Sequence, residues 1–187
     1  MLLLEVVKLE CESSCFLKLM AELTRFEIGN REIDDGDYFV VIEPVFLSVS
    51  IYDGTVRYEE DLSKFSNEQR LVLACHWYLS EVNNGGHDQF YYNNTGIVWR
   101  DTLKALAAIG AGEAIVILEE SIRRLGGNPS LDRDERQEQV DRLNPQFDDL
   151  DNELFKLEES FDFDEALMEF IRAHRQKFFF SGLVEQP

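Results

Sequence analysis

The chain has 187 residues, of which 37 are acidic and 18 are basic, so its formal net charge is −19. This excess of carboxylates argues against direct binding to nucleic acid and against docking on an anionic membrane, because both depend on Lys and Arg meeting phosphates. The chain also lacks an apolar run of the roughly 20 residues that span a bilayer and the basic start of a signal peptide. We therefore expect a single-domain cytoplasmic protein without membrane contact.

The charge is concentrated on the two flanks of the chain. Residues 1–64 carry 14 acids and 6 bases, residues 65–127 carry 7 and 5, and residues 128–187 carry 16 and 7. The nearly neutral middle is therefore predicted to supply most of the core, with acidic elements packed around it.

Helical periodicity extends over most of the chain. The run Val40–Ile42 suits a strand, but the pattern that follows it favours a helix. Ser66–Gln69 matches a capping box and begins a helix, which is predicted to end at Asn83–Gly86 because Asn and Gly accept the left-handed conformation of a helix end. A short segment, His87–Asn93, then leads to a second stop at Asn94–Gly96.

Four more helical stripes follow, separated by short breaks. The positions of these stripes are Trp99, Leu103 and Leu106; Ile115, Leu118, Ile122 and Leu125; Leu150, Leu154, Leu157 and Phe161; and Leu167, Phe170/Ile171, His174 and Phe178. Residues 129–147 are the least apolar stretch and are predicted to form a connection with a short charged helix. The predicted fold class is all-α: a single-domain multi-helix bundle with short Gly/Asn helix breaks.

Motifs that would carry catalysis or bind a cofactor are weak. Gly110-Ala111-Gly112 resembles the start of a dinucleotide fingerprint, but Ile115 replaces the third glycine and no strand precedes it, so a tight turn between helices is predicted. Cys11 and Cys15 are spaced for one helix face, but no second ligand pair accompanies them. We predict no catalytic residue, no metal and no cofactor.

The polar and aromatic segment Asn83–Gly96 has two interpretations. Its glycines permit sharp turns and its amides can satisfy the backbone groups that helix ends leave unpaired, which is a structural role. The same amides and tyrosines could line a cleft for a small ligand. The composition favours the structural role.

Acids dominate the C-terminal stretch, where Lys156 is the one base between Asp148 and Glu169. A solvated helix face is the simpler interpretation, and a surface that attracts a basic partner is the functional one. The candidate partner-binding acids here are Asp148, Asp149, Asp151, Glu153, Glu158, Glu159, Asp162, Asp164 and Glu165. A second candidate patch consists of Asp34, Asp35, Asp37, Glu59, Glu60 and Asp61.

Several short motifs together resemble the DNA-mimic protein (DMP) family. They are Ile51-Tyr52-Asp53-Gly54, His76-Trp77-Tyr78 with Glu81, Asn84-Gly85-Gly86 with Gln89-Phe90, Asn94-Thr95-Gly96, Leu106 with Ile109-Gly110, and Phe170-Ile171 with His174 and Phe178-Phe179. The chain departs from the family pattern at His87, where an aromatic residue is expected. The motif residues Asn84, Gly85, Gly86, Gln89, Phe90, Asn94 and Gly96 are interpreted as mainly structural.

The resemblance implies an all-helical bacterial domain over residues 38–180, able to self-associate as a homodimer. Residues 1–37 would form an acidic N-terminal extension packed on this domain, and residues 181–187 a C-terminal tail. The implied function is that of a non-enzymatic DNA mimic, which occupies the DNA-binding surface of a basic protein such as a transcription factor.

Two alternatives stay open. One is an immunity-type protein that neutralises a basic toxin. The other is a ligand-binding or enzymatic helical domain that uses the Asn83–Gly96 cleft.

Overall fold

The computed structural model describes residues 23–185, and their helices confirm the predicted all-α bundle. The helices are α1 (Asn30–Asp35), α2 (Tyr38–Ser48), α3 (Gly54–Leu62), α4 (Asn67–Tyr92), α5 (Trp99–Ala108), α6 (Gly112–Arg124), α7 (Arg133–Leu143), α8 (Asp148–Glu158) and α9 (Phe163–Ala173), with short 3-10 turns at Asn94–Val98 and Arg175–Lys177. In this part of the chain, none of the helices combines the length and the apolar character that crossing a membrane requires.

Two short strands were not predicted. Strand β1 (Leu23–Ile28) pairs antiparallel with β2 (Phe180–Glu185), so that Leu23 lies opposite Glu185. The sheet therefore joins residues of the predicted N-terminal extension to residues at the start of the predicted tail, and β2 packs on α2. The alternation of exposed and half-buried residues along β1 has a period of two, but it spans only six residues and is a weak signal in an acidic flank.

Helix α4 is the central element and contacts α2, α5, α7 and α8. The predicted capping box at its start is confirmed. The backbone N–H of Gln69 donates to the Ser66 hydroxyl, and the backbone N–H of Ser66 donates to the side-chain oxygen of Gln69. Leu73, Tyr78 and Val82 have no exposed surface. The predicted helices over Val40–Ile42 and within 129–147 are confirmed by α2 and α7, as is the turn at Gly110–Gly112.

The predicted stop at Asn83–Gly86 is a kink rather than an end. Gly85 and Gly86 leave the helical conformation, and the helix then resumes, so the predicted short segment from His87 continues α4 as far as Tyr92. Gly86 has a φ of 73°, and a Cβ there would collide with the carboxylate of Asp151. The kink therefore needs glycine both for its backbone conformation and for the close approach of α8.

Arg136 of α7 fastens the end of α4 to the rest of the bundle. Its side chain is completely buried, and its guanidinium donates to the carbonyl oxygens of Tyr91 (2.8 Å), Asn93 (2.6 Å) and Ser130 (2.7 Å). Burial lowers the pKa of Arg136 to about 10. A Cβ at Gly96 would lie 2.5 Å from Nε of Arg136, so this glycine of the family motif makes room for the guanidinium.

Replacing Arg136 with Met should destabilise the fold, because the buried carbonyl of Tyr91 and the part-buried carbonyls of Asn93 and Ser130 would lose a charged donor. We expect the free energy of unfolding to fall by about 2–4 kcal/mol, measured by urea denaturation. The control is Arg133→Met, which removes an exposed side chain from the same helix and should cost less than about 0.5 kcal/mol. Equal losses for the two variants would contradict the anchoring role of Arg136.

Candidate functional site

A buried chain of three polar side chains holds the kink of α4 against α8. Nδ1 of His87 lies 2.5 Å from Oδ1 of Asp151, and Nε2 of His87 lies 2.9 Å from the Tyr78 hydroxyl. The backbone amide of His87 also donates to Oδ1 of Asp151 (3.0 Å). Because the carboxylate only accepts, the Nδ1–H group of His87 donates to Asp151, and Nε2 faces the Tyr78 hydroxyl. Burial raises the pKa of Tyr78 well above its usual value, which keeps this hydroxyl protonated.

Three polar side chains from the Asn83–Gly96 segment converge on Glu81. Its carboxylate accepts from the Gln89 amide (2.6 Å), the Asn93 amide (2.9 Å) and the Thr95 hydroxyl (2.9 Å). Asn94 donates to the Tyr52 carbonyl, Phe90 is completely buried, and the Asn84 side chain is exposed. Most polar side chains of the Asn83–Gly96 segment are thus hydrogen-bonded to residues outside the segment, chiefly to Glu81.

An aromatic cluster surrounds the other motif histidine, His76. Its Nδ1 atom lies 3.1 Å from the Tyr38 hydroxyl, and its ring packs against Phe39, Phe46 and Trp77. Burial lowers the pKa of His76 to about 4. The folded protein therefore holds this imidazole neutral near pH 6.

Four exposed candidate acids form ion pairs with bases. Asp34 pairs with Arg175, Glu59 with Arg70, Asp149 with Arg124 and Glu165 with Arg172, at distances of 2.6–3.0 Å. The hydrogen bond from Arg124 lowers the pKa of Asp149 to about 2. These carboxylates are exposed, but each carries a cation beside it.

Two candidate acids do not lie on the surface that the sequence predicted. Asp61 is 1% exposed and accepts from Arg57 (2.9 Å), Lys64 (2.8 Å) and the Ser50 amide (3.3 Å). Burial opposes its ionisation, but these hydrogen bonds outweigh burial and lower the pKa of Asp61. Asp151 points toward buried His87. Both carboxylates serve internal contacts, which charge counting along the chain does not reveal.

The structure brings acids from both predicted patches together where α8 meets α9. A cleft of about 470 Å³ is lined by Glu158, Glu159, Asp162 and Asp164 together with Tyr38. Asp37, from the second patch, lies close enough to act on Asp164. Burial, and then repulsion from Asp162 and Asp37, raises the pKa of Asp164. We call Asp37, Glu158, Glu159, Asp162 and Asp164 the α8–α9 acidic face.

Glu158 accepts from the Asn83 side-chain amide (2.8 Å), and two other members of this face cap helices. Asp162 accepts from the Glu165 amide at the start of α9, and Asp37 accepts from the Val40 amide at the start of α2. Within the described residues, none of the five members makes an ion pair with Lys or Arg. The remaining candidates Asp35, Glu60, Asp148 and Glu153 are exposed outside this face.

The described residues offer no metal centre. Between residues 23 and 185, no three His, Cys, Asp or Glu side chains are grouped so that they could hold a metal ion. Cys75 is buried in the core. Cys11 and Cys15 lie outside the described residues.

The fold and the site define the class of this protein: an acidic, predominantly helical domain. Two adjacent glycines bend its central helix, and hydrogen bonds to the carboxylates of Asp151 and Glu81 hold the part of the chain that follows the bend. The sequence model of DMP19-like proteins matches residues 63–174, which is more than half of the chain. The chain therefore belongs to the DMP19-like protein family. Neither the curated proteins nor the solved structures include one that matches it.

Replacing Asp151 with Asn should loosen the junction of α4 and α8, because one amide oxygen replaces a charged acceptor of two N–H groups. We expect the free energy of unfolding to fall by about 1–3 kcal/mol, measured by urea denaturation. Glu153→Gln is the matched control, since it removes an exposed charge from the same helix and should change stability by less than about 0.5 kcal/mol. An unchanged Asp151→Asn variant would show that the contact with His87 does not hold the kink.

His76 should make stability depend on pH in mildly acidic solution. Its folded pKa is about 4 and its ordinary value is 6.5, so the unfolded state binds the proton first. The free energy of unfolding should therefore decrease as the pH falls from 6.5 toward 4. His76→Gln should remove up to about 1.4 kcal/mol per pH unit from this slope, measured by urea denaturation at a series of pH values. The same slope in both proteins would refute this assignment.

Proposed function

We propose that this chain is a non-enzymatic DNA mimic, which binds the DNA-binding surface of a basic protein such as a transcription factor and competes with DNA. The observation that carries the proposal is the α8–α9 acidic face. There, four carboxylates within residues 158–164 line one cleft and Asp37 acts on one of them, Asp164, without a neutralising base among the described residues.

The spacing of charge supports this proposal. Side chains on successive helical turns stand about 5–6 Å apart, and phosphates along one DNA strand rise by about 3.4 Å each. Carboxylates from α8, from α9 and from the start of α2 can therefore present charge at a comparable density. A cleft with low-dielectric walls also strengthens the field of the acids that line it.

The contacts of the motif support binding rather than catalysis. Glu81 already accepts three hydrogen bonds, and Asp151 already accepts two from His87. A general acid or base must be within hydrogen-bond reach of a substrate. The oxygens of these two carboxylates instead accept hydrogen bonds from the protein itself. The face proposed to bind lies on exposed helix ends instead.

Neutralising the α8–α9 acidic face should weaken binding to a basic partner. The test variant is Glu159→Gln/Asp162→Asn/Asp164→Asn, in which the new amide at position 162 retains an oxygen that can cap α9. The probe is a panel of purified helix-turn-helix DNA-binding domains, measured by calorimetry with and without competing duplex DNA. We expect at least one domain to bind, to be displaced by duplex DNA, and to bind this variant about tenfold more weakly.

A second variant separates a local surface from net charge. Glu113→Gln/Glu119→Gln/Glu138→Gln removes three charges elsewhere and changes the net charge by the same amount. It should bind almost as the unaltered chain does, and all binding should weaken as salt rises. The proposal fails if no domain binds at low salt, or if the two triple variants lose equal affinity.

A further inference from the structure

A second groove, separate from the acidic face, lies between the end of α2 and the helices α3 and α4, with β2 also contributing to its lining. It encloses about 790 Å³. Phe46 and Trp77 stack at 4.9 Å between ring centroids and form part of its wall, and Tyr52 and Leu183 stand at its edge with 74% and 60% of their surfaces exposed. An exposed apolar groove of this size is typical of a site that binds a partner or another segment of the chain.

One corner of the groove is positively charged. Arg57 and Lys64 both bind the buried carboxylate of Asp61, so two cations share one anion. The Arg57 and Lys64 side chains are themselves more than half exposed. In a protein of net charge −19, this corner favours an apolar occupant that carries acidic side chains.

Residues 1–22 precede Leu23, the first described residue. They lead directly into Leu23, which pairs with Glu185 of β2, and the next residues of β2, Val184 and Leu183, line the groove. Apolar side chains make up 14 of these 22 residues, and Glu10 and Glu12 flank Cys11. The segment therefore combines the apolar character and the acids that the groove favours.

We propose that residues 1–22 occupy this groove, with Glu10 and Glu12 beside Arg57 and Lys64. The segment would cover the apolar wall of Phe46 and Trp77 and place two acids on the cationic corner. This proposal is independent of DNA mimicry, because it concerns a different face and the chain's own N-terminal residues.

The thiols of Cys11 and Cys15 allow the proposal to be tested in the full chain. Tyr52→Cys adds a thiol at an exposed groove position, and Cys75 does not interfere because it is completely buried. Disulfides form only when two Cα atoms approach within about 7 Å. Under mild oxidation we expect an intramolecular disulfide between position 52 and Cys11 or Cys15, identified by peptide mass mapping.

Val116→Cys is the matched control, since Val116 is 65% exposed but belongs to α6, away from this groove. The Tyr52→Cys variant should form the intramolecular disulfide about tenfold faster than the control, because docking raises the local concentration of the two thiols. Equal rates would overturn the proposal. Disulfides formed only between molecules would overturn it too and assign the groove to a second copy.

Charge substitutions in the segment test the cationic corner without altering the described core. In the Tyr52→Cys background, Glu10→Lys/Glu12→Lys should slow the intramolecular disulfide severalfold, because both new cations would be repelled by Arg57 and Lys64. Glu119→Lys/Glu138→Lys makes the same change of net charge at positions elsewhere and should leave the rate unchanged. Equal slowing by both pairs would refute the charge contact.

Discussion

The bend of α4 is the constraint on which the rest of the structure depends, and the carboxylate of Asp151 maintains it. Two glycines let the helix leave its axis, and Asp151 then binds both the backbone and the imidazole of His87 immediately after the bend. The bend directs the second half of α4 toward α7. There the Arg136 guanidinium donates hydrogen bonds to the carbonyl oxygens of Tyr91 and Asn93 at the end of α4. Helices α7 and α8 thus acquire their positions from contacts with the two sides of one kink.

The acids of this protein serve two different purposes. Asp61, Glu81 and Asp151 are internal acceptors, each satisfied by two or more donors, and they join separate elements of the fold. Asp37 and Asp162 cap helices beside the acidic cleft, so one carboxylate can both begin a helix and contribute to the surface field. The formal charge of −19 therefore overstates the charge available to a partner.

The family motif is explained by these internal contacts. Gly86 and Gly96 make room for Asp151 and Arg136, while Gln89 meets Glu81. His87, which departs from the expected pattern, occupies a buried place beside Phe147 and adds a polar link that an aromatic hydrocarbon could not make. The shared residues thus specify the fold, whereas the α8–α9 acidic face consists of residues outside the motif.

The sequence by itself determined the helical class, the capping box at Ser66, the turn at Gly110–Gly112 and the charged helix within 129–147, because each depends on residues close together in the chain. It did not reveal the pairing of β1 with β2, the burial of Asp61, or the roles of Arg136 and Asp151. These depend on partners far away in sequence: Asp151 is 64 residues from His87, and Arg136 is 45 residues from Tyr91. Local patterns record periodicity and helix ends, but only the packed structure decides which charged groups are buried and which remain in solvent.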